Sequence, residues 1–210
     1  MIKTIFFDFD GVILDSMPIR DYGFRKIFKN YDKNLVEKLI KYHRYNAGLS
    51  RFHKIKYFYN ELLKTKINEE EIQKYADNFS QIMKKELVNK RYIIQDSVEF
   101  IKNNFKKYNF HIVSGSEEKE LQYLCKMLEI DIYFKTINGS PIHKNDLVKN
   151  ILKQFNYNTN ECILIGDSIN DYEAAKINNI TFYGYNNNDL IQFNNYIFNF
   201  KVFKFLIKNK

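Results

Sequence analysis

Two aspartates one residue apart, Asp8 and Asp10, close an apolar run within residues 3–16, Lys-Thr-Ile-Phe-Phe-Asp-Phe-Asp-Gly-Val-Ile-Leu-Asp-Ser. Side chains two positions apart on a strand project to the same face, so both carboxylates can converge on one metal ion or phosphate. Gly11 then lets the chain turn away tightly. Two ionised carboxylates this close repel, which raises one pKa unless a cation sits between them, and Phe6, Phe7 and Phe9 lower the local dielectric.

Three other stretches carry chemistry at what read as strand ends. Phe110 to Ser116, Phe-His-Ile-Val-Ser-Gly-Ser, delivers the Ser114 hydroxyl and then the backbone amides of Gly115 and Ser116, a set suited to phosphate oxygens; the same turn also reads as a helix cap. Gly139 to Lys144 offers the Lys144 ammonium to a phosphate or a carboxylate, with Lys135 and Lys149 as rivals. Cys162 to Asp171 is a buried-looking strand ending in Gly166-Asp167-Ser168, with Asp171 one helical turn on. Asp167 could complete an oxygen-ligand site with the first pair and Asp171 orient it, or Asp167 or Ser168 could simply cap the next helix.

The elements that must position these groups follow from periodicity. Residues 19–28, 33–45, 52–63 and 69–88 carry apolar side chains at helical spacing, with no strand pattern between them. From residue 92 onward, helices expected at 97–108, 119–128 and 146–155 alternate with strands at 110–113, 134–137, 162–165 and 181–185. A short strand near Ile197 and a closing helix end the chain. This alternation predicts an α/β parallel sheet covered by helices, with a helical block, residues 17–90, inserted after the first strand; residues 1–16 and 91–210 form the core. Sites in such sheets lie beyond the C-terminal ends of the strands, where the helical block would act as a lid.

The chain has 210 residues and a formal charge of +8, but its lysines are scattered and no nucleic-acid motif accompanies them, so neither nucleic acid nor membrane is expected as a partner. Asp8 and Asp10 interrupt the N-terminal apolar run before a signal-peptide core can form, which points to the cytoplasm. Cys125 and Cys162 are expected as buried thiols. The tail from residue 196, with Phe198, Phe200, Phe203 and Phe205 among lysines, is expected to pack on the sheet as an edge strand and helix.

Taken together and in this order, the four stretches resemble the motifs of the haloacid dehalogenase (HAD) superfamily. Asp8-Phe9-Asp10-Gly11-Val12 with Asp15-Ser16 looks like its first motif, Ser114 its second, Lys144 its third, and Gly166-Asp167-Ser168 with Asp171 its fourth. The resemblance implies a HAD-type Rossmann-like core with an inserted helical cap, of the phosphoglycolate phosphatase-like or β-phosphoglucomutase-like kind. It also implies a phosphatase or phosphomutase, since dehalogenase members lack the second aspartate. Asp8 would attack phosphorus to form an aspartyl-phosphate, and Asp10, held protonated, would serve the leaving oxygen and then water. Mg²⁺ would be bound by Asp8, the Asp10 backbone carbonyl and Asp167, while Ser114, Gly115 and Lys144 would hold the phosphate. In the cap, Gly48-Leu49-Ser50-Arg51 resembles a loop whose arginine contacts a substrate's far anionic group. Arg51, then Lys54 and Arg20, are therefore the specificity candidates, although Arg51 equally reads as an exposed residue at a helix start.

The expected substrate is a small phosphorylated metabolite, such as a sugar phosphate or phosphoglycolate, taken by a monomer or weak homodimer. The alternatives are a phosphomutase of the β-phosphoglucomutase type and a non-catalytic phosphate- or nucleic-acid-binding relative.

Overall fold

The computed structural model describes residues 1–206. Six strands, β1 (Thr4–Phe7), β2 (Asn109–Glu117), β3 (Thr136–Ser140), β4 (Cys162–Gly166), β5 (Thr181–Tyr185) and β6 (Tyr196–Ile197), form one all-parallel sheet in the order β3-β2-β1-β4-β5-β6. β1 is central and all four of its residues are buried, because a strand covered on both faces must be apolar on both. Its side chains still alternate: Ile5 and Phe7 enter one hydrophobic cluster and Phe6 the other. Phe7 meets Phe110 edge-on at 5.2 Å, and burying a side chain of this size contributes about 1.5–3 kcal/mol.

Helices α1 (Met17–Ile27), α2 (Lys33–Tyr45), α3 (Arg51–Tyr57) and α4 (Glu69–Glu86) follow β1 with no strand among them. α4 starts from a reciprocal cap between Asn68 and Glu71 and packs against α1 and α3. The core helices are α5 (Gln95–Asn104), α6 (Glu118–Met127), α7 (Lys144–Gln154), α8 (Ile169–Ile177) and α9 (Phe200–Leu206). α5, α6 and α9 contribute Phe100, Leu124 and Phe203 to one face of the sheet, and α7 and α8 contribute Val148 and Ala174 to the other.

Several element boundaries differ from expectation. The helix expected over 52–63 is α3 followed by a π turn at Phe58–Leu63, where Phe58 stacks on Phe28 at 4.2 Å. β2 runs on through Ser114, Gly115 and Ser116 to pair Glu117 with Ser140, with a register shift after Val113. β3 begins at Thr136, not residue 134, because Phe134 closes a turn onto the Asp131 carbonyl; as an edge strand it tolerates the polar sequence that hid it. α7 begins at Lys144 itself. The tail is an edge strand and a helix, with Phe200 and Phe203 buried and Phe198 exposed; the Phe205 side chain and residues 207–210 lie outside the described residues. Among the described residues no helix is long and apolar enough to cross a membrane.

Candidate active site

Parallel pairing brings the strand ends together. β1 lies between β2 and β4, with Phe7 level with Ile112 on one side and Ile165 on the other, so Asp8 follows level with Val113 and Gly166, one residue short of Ser114 and Asp167. The Asp8 amide donates to the Ile165 carbonyl at 2.9 Å, which fixes the point where the strand ends. Gly11 turns the chain at φ +75°, and a Cβ there would stand 1.9 Å from Asp167 Oδ2; the turn therefore needs glycine twice over, for its backbone angle and for the carboxylate beside it.

Lys144 is the lysine that reaches the site. Its Nζ lies 3.1 Å from Asp8 Oδ1 and donates to Asp171 Oδ1, whereas Lys135 and Lys149 are exposed. Burial works against the charge on Lys144, but Asp171 and Asp8 hold it above the ordinary lysine range. Burial, with Asp171 beside it, pushes the Asp8 carboxyl up to about 7. Asp167 is raised well above its usual value, by burial and then by Asp8 and Asp171.

One oxygen from each of Asp8, Asp167 and Asp171 lies within 4.8 Å of the others. Asp171 is already engaged, by Lys144 and by the Ser168 amide and hydroxyl at 3.0 and 2.6 Å, so it both opens α8 and anchors Lys144. The Asp167 carboxylate accepts no hydrogen bond from the described residues. Crowded buried carboxylates, with Asp167 lacking donors, fit a hard divalent cation.

Asp10 points elsewhere. It accepts from Arg20 Nε at 2.6 Å and Ser116 Oγ at 2.7 Å, and from the Ser16 hydroxyl. Despite burial, Arg20, with Ser16 and Ser116, keeps the Asp10 carboxyl below its ordinary range. In this conformation the buried Arg20 guanidinium favours the charged form of Asp10, against the expectation of a carboxyl held protonated. Ser114 Oγ accepts from the Ser116 amide at 3.1 Å and keeps its own hydrogen to donate.

The inserted helices sit directly over these groups. A Cβ on Gly115 would stand 2.3 Å from the Gly48 carbonyl, so the Gly48-Leu49 loop touches the end of β2. Arg51 is buried, against the alternative of an exposed helix start: its Nη1 donates to Ser80 Oγ at 2.6 Å and Glu120 Oε2 at 2.5 Å. Lys54 Nζ is also buried and donates to the Ala47 carbonyl at 3.1 Å. Tyr42 stacks on Tyr57 at 3.6 Å while Phe58 and Tyr59 are buried, so these cap aromatics serve packing.

Four side-chain roles were not anticipated. The Ser116 hydroxyl bridges Asp10 and Arg20; Glu120 is fully buried between Arg20 and Arg51; His43 is buried with Nδ1 unpartnered and Nε2 3.7 Å from Asp21; and Ser140, beside Lys144, has a buried unpartnered hydroxyl. Glu120 did leave a trace, since it shares the i, i+4, i+8 face of Leu124 and Leu128 and is the charged member of an apolar stripe.

Residues 5–185 match the haloacid dehalogenase-like hydrolase family. The chain belongs to that family. A relative, the phosphorylated carbohydrates phosphatase of Thermotoga maritima, is 23% identical over 181 residues, covering 83% of this chain and 80% of its own. The β-phosphoglucomutase of Clostridium difficile superposes with a TM-score of 0.77 at 19% identity, over 99% of this chain and 96% of the other. The HAD-hydrolase YfnB of Bacillus subtilis, a structure with magnesium bound, gives 0.74 at 14% identity over 99% of both chains. At these identities the structural likenesses establish the haloacid dehalogenase-like fold.

Within that fold Lys54 carries a cost to stability. Burial, with Arg20 and Arg51 close by, brings its ammonium down to about 7. Between about 7 and the unfolded value near 10.4 the unfolded chain binds the extra proton, so this group makes stability rise with pH across that window. Lys54→Met is expected to stabilise the fold by about 1–3 kcal/mol near pH 7, with the gain vanishing toward pH 10. Urea unfolding of both proteins at the two pH values checks this; a gain of equal size at both would remove the electrostatic cause.

Proposed function

We propose that this hydrolase is a Mg²⁺-dependent phosphatase acting on a small phosphorylated carbohydrate, with residues 17–90 as its cap. The observation that carries the proposal is the Lys144 ammonium 3.1 Å from Asp8 beside an unpaired Asp167: a nucleophile shielded by one cation and provided with ligands for another. The carbohydrate class is supported by the name of the Thermotoga relative.

In this cycle an Asp8 oxygen attacks phosphorus, the bond to the leaving oxygen breaks, and Asp10 supplies the proton that the leaving alkoxide needs. Asp10 then takes a proton from water as that water attacks the aspartyl-phosphate, releasing phosphate and restoring Asp8. Lys144, the Ser114 hydroxyl and the Gly115 amide bear on the phosphoryl oxygens. Asp8, Asp167 and the Asp10 backbone carbonyl would hold Mg²⁺, which offsets the repulsion between the phosphate and the carboxylates.

The Arg20 contact, which favours an ionised Asp10, suits the second half of the cycle. The first half needs a proton on it, which separation from Arg20 would favour. Arg20 lies on α1, the first helix of the inserted block, so cap movement is a direct means of separating them.

Phosphate release from a panel of sugar phosphates, phosphoglycolate and nucleotides, with Mg²⁺ or with EDTA, tests the proposal. Metal-dependent release is expected, strongest on the sugar phosphates; a silent panel, or release indifferent to EDTA, would overturn it. Mg²⁺ is also expected to raise thermal stability, by about 2.7 kcal/mol at a hundred times its dissociation constant, and Asp167→Asn to remove that gain.

A further inference from the structure

A small cavity lies between the inserted helices and the sheet, with Asp10 and Ser116 at its floor and His43, Arg51 and Lys54 at its roof. If Asp10 serves the leaving oxygen, whatever that oxygen carries extends into this space. The cavity has about 20 Å³ of room, enough for one water, so the substrate enters while the cap is lifted and is enclosed afterward.

The cationic side chains here are largely spoken for. Glu120, with no exposed surface, faces Arg20 Nη1 at 3.4 Å through Oε1 and Arg51 Nη1 at 2.5 Å through Oε2. Arg20 is further committed to Asp10 and Ser116. Two guanidiniums, Arg20 and Arg51, and the Lys54 amine therefore line a space with Asp10 in it and Glu120 directly behind the guanidiniums. A second phosphate, carrying close to two negative charges, would meet both carboxylates at low dielectric and would have to take guanidinium donors from Glu120.

What remains unsatisfied is of another kind. Arg51 Nη2 and His43 Nδ1 are buried without partners, His43 Nε2 stands 3.7 Å from Asp21 Oδ1, and Lys54 Nζ makes a single hydrogen bond. Burial, with Lys54, Arg20 and Arg44 nearby, keeps the His43 ring well below its usual value, so with Nε2 toward Asp21 its Nδ1 is an acceptor beside the Arg51 and Lys54 donors. Such a mixed set suits hydroxyl groups.

We infer that Glu120 is a specificity-determining residue: by occupying Arg20 and Arg51 it sets this subsite for the uncharged hydroxyls of a monophosphate and against a second phosphate. The inference rests on the phosphatase reading above and sharpens it, because a phosphomutase must hold a bisphosphate in this same space.

A hexose monophosphate and the matching bisphosphate test it. Wild-type kcat/KM for phosphate release is expected to favour the monophosphate by at least about tenfold, and Glu120→Gln to raise the bisphosphate-to-monophosphate ratio by a similar factor. Equal or better use of the bisphosphate by the wild type would overturn the inference, as would a Glu120→Gln protein that loses both activities in proportion. The wild-type ranking stands even if the variant fails to fold. The same two ligands are then compared by melting shift on Asp8→Asn protein with Mg²⁺, where no turnover is needed. A larger shift with the monophosphate supports the inference, and an equal or smaller one overturns it. Failure of hydrolysis on its own thus counts against the phosphatase proposal and is told apart from failure here.

Discussion

Asp8→Asn is expected to lower phosphate release by at least about 10⁴-fold while leaving the protein as stable as before, or more so, in EDTA. The chemical loss is complete, because an amide cannot form the acyl-phosphate bond. The structural loss is small. Asparagine has the same shape and its Oδ1 still accepts from the Phe9 amide, which donates to Asp8 Oδ1 at 2.7 Å. Lys144 keeps its bond to Asp171, and one of three crowded carboxylates is gone. Turnover assays beside thermal melts in EDTA check both halves. Residual activity above about one part in 10³ would mean that another group supplies the nucleophile.

Lys144→Met is expected to do the opposite to the fold. Lys144 is almost fully buried and is the protein's own cation among Asp8, Asp167 and Asp171. Removing one partner of a buried ion pair leaves uncompensated charge and typically costs about 3–5 kcal/mol. Urea unfolding in EDTA is expected to show a loss of that order, and Mg²⁺ to restore part of it by supplying the missing positive charge. Activity is expected to fall by about 10²–10³-fold even with metal present, since Lys144 also faces the phosphoryl oxygens in the proposed cycle. Unchanged stability in EDTA would show that the carboxylates tolerate one another without Lys144, and would remove the electrostatic account of this site.

The two substitutions separate the roles of a single ion pair. Asp8 and Lys144 touch at 3.1 Å, yet one is expected to matter to chemistry alone and the other to both chemistry and folding. The asymmetry comes from the contacts: Lys144 is the lysine that touches Asp8 and Asp171, so deleting a carboxylate relieves repulsion and deleting Lys144 exposes it.

Much of this architecture was legible in the residues. The continuous apolar run of β1 announced a central strand, since only a strand covered on both faces lacks polar alternation. The helical spacing after it announced a block without strands. Asp8 and Asp167 stood out because each lies just beyond the end of a strand, where apolar patterning stops abruptly; Ser114 stood out because the apolar run of β2 stops before it although the strand continues, and Lys144, which opens α7, because a short Gly-Ser-Pro loop precedes it. The strand β3 was misplaced by two residues because Thr136–Ser140 is polar and lies at the sheet's edge on that side, where the hydrophobic signal is weakest.

Strand periodicity and glycine turns are local properties, and they already pointed to carboxylates, a hydroxyl and a lysine at the C-terminal ends of a parallel sheet. Which charge faces which depended on how distant elements pack. Arg20 and Glu120 are separated by 100 residues and Arg51 and Glu120 by 69, and their pairing turns two candidate substrate-binding arginines into partners of a buried glutamate. Nothing in the spacing of these residues encodes that contact. An ionic interaction depends on distance and on the dielectric around it, and both are set when α1, α3 and α6 pack together and exclude water.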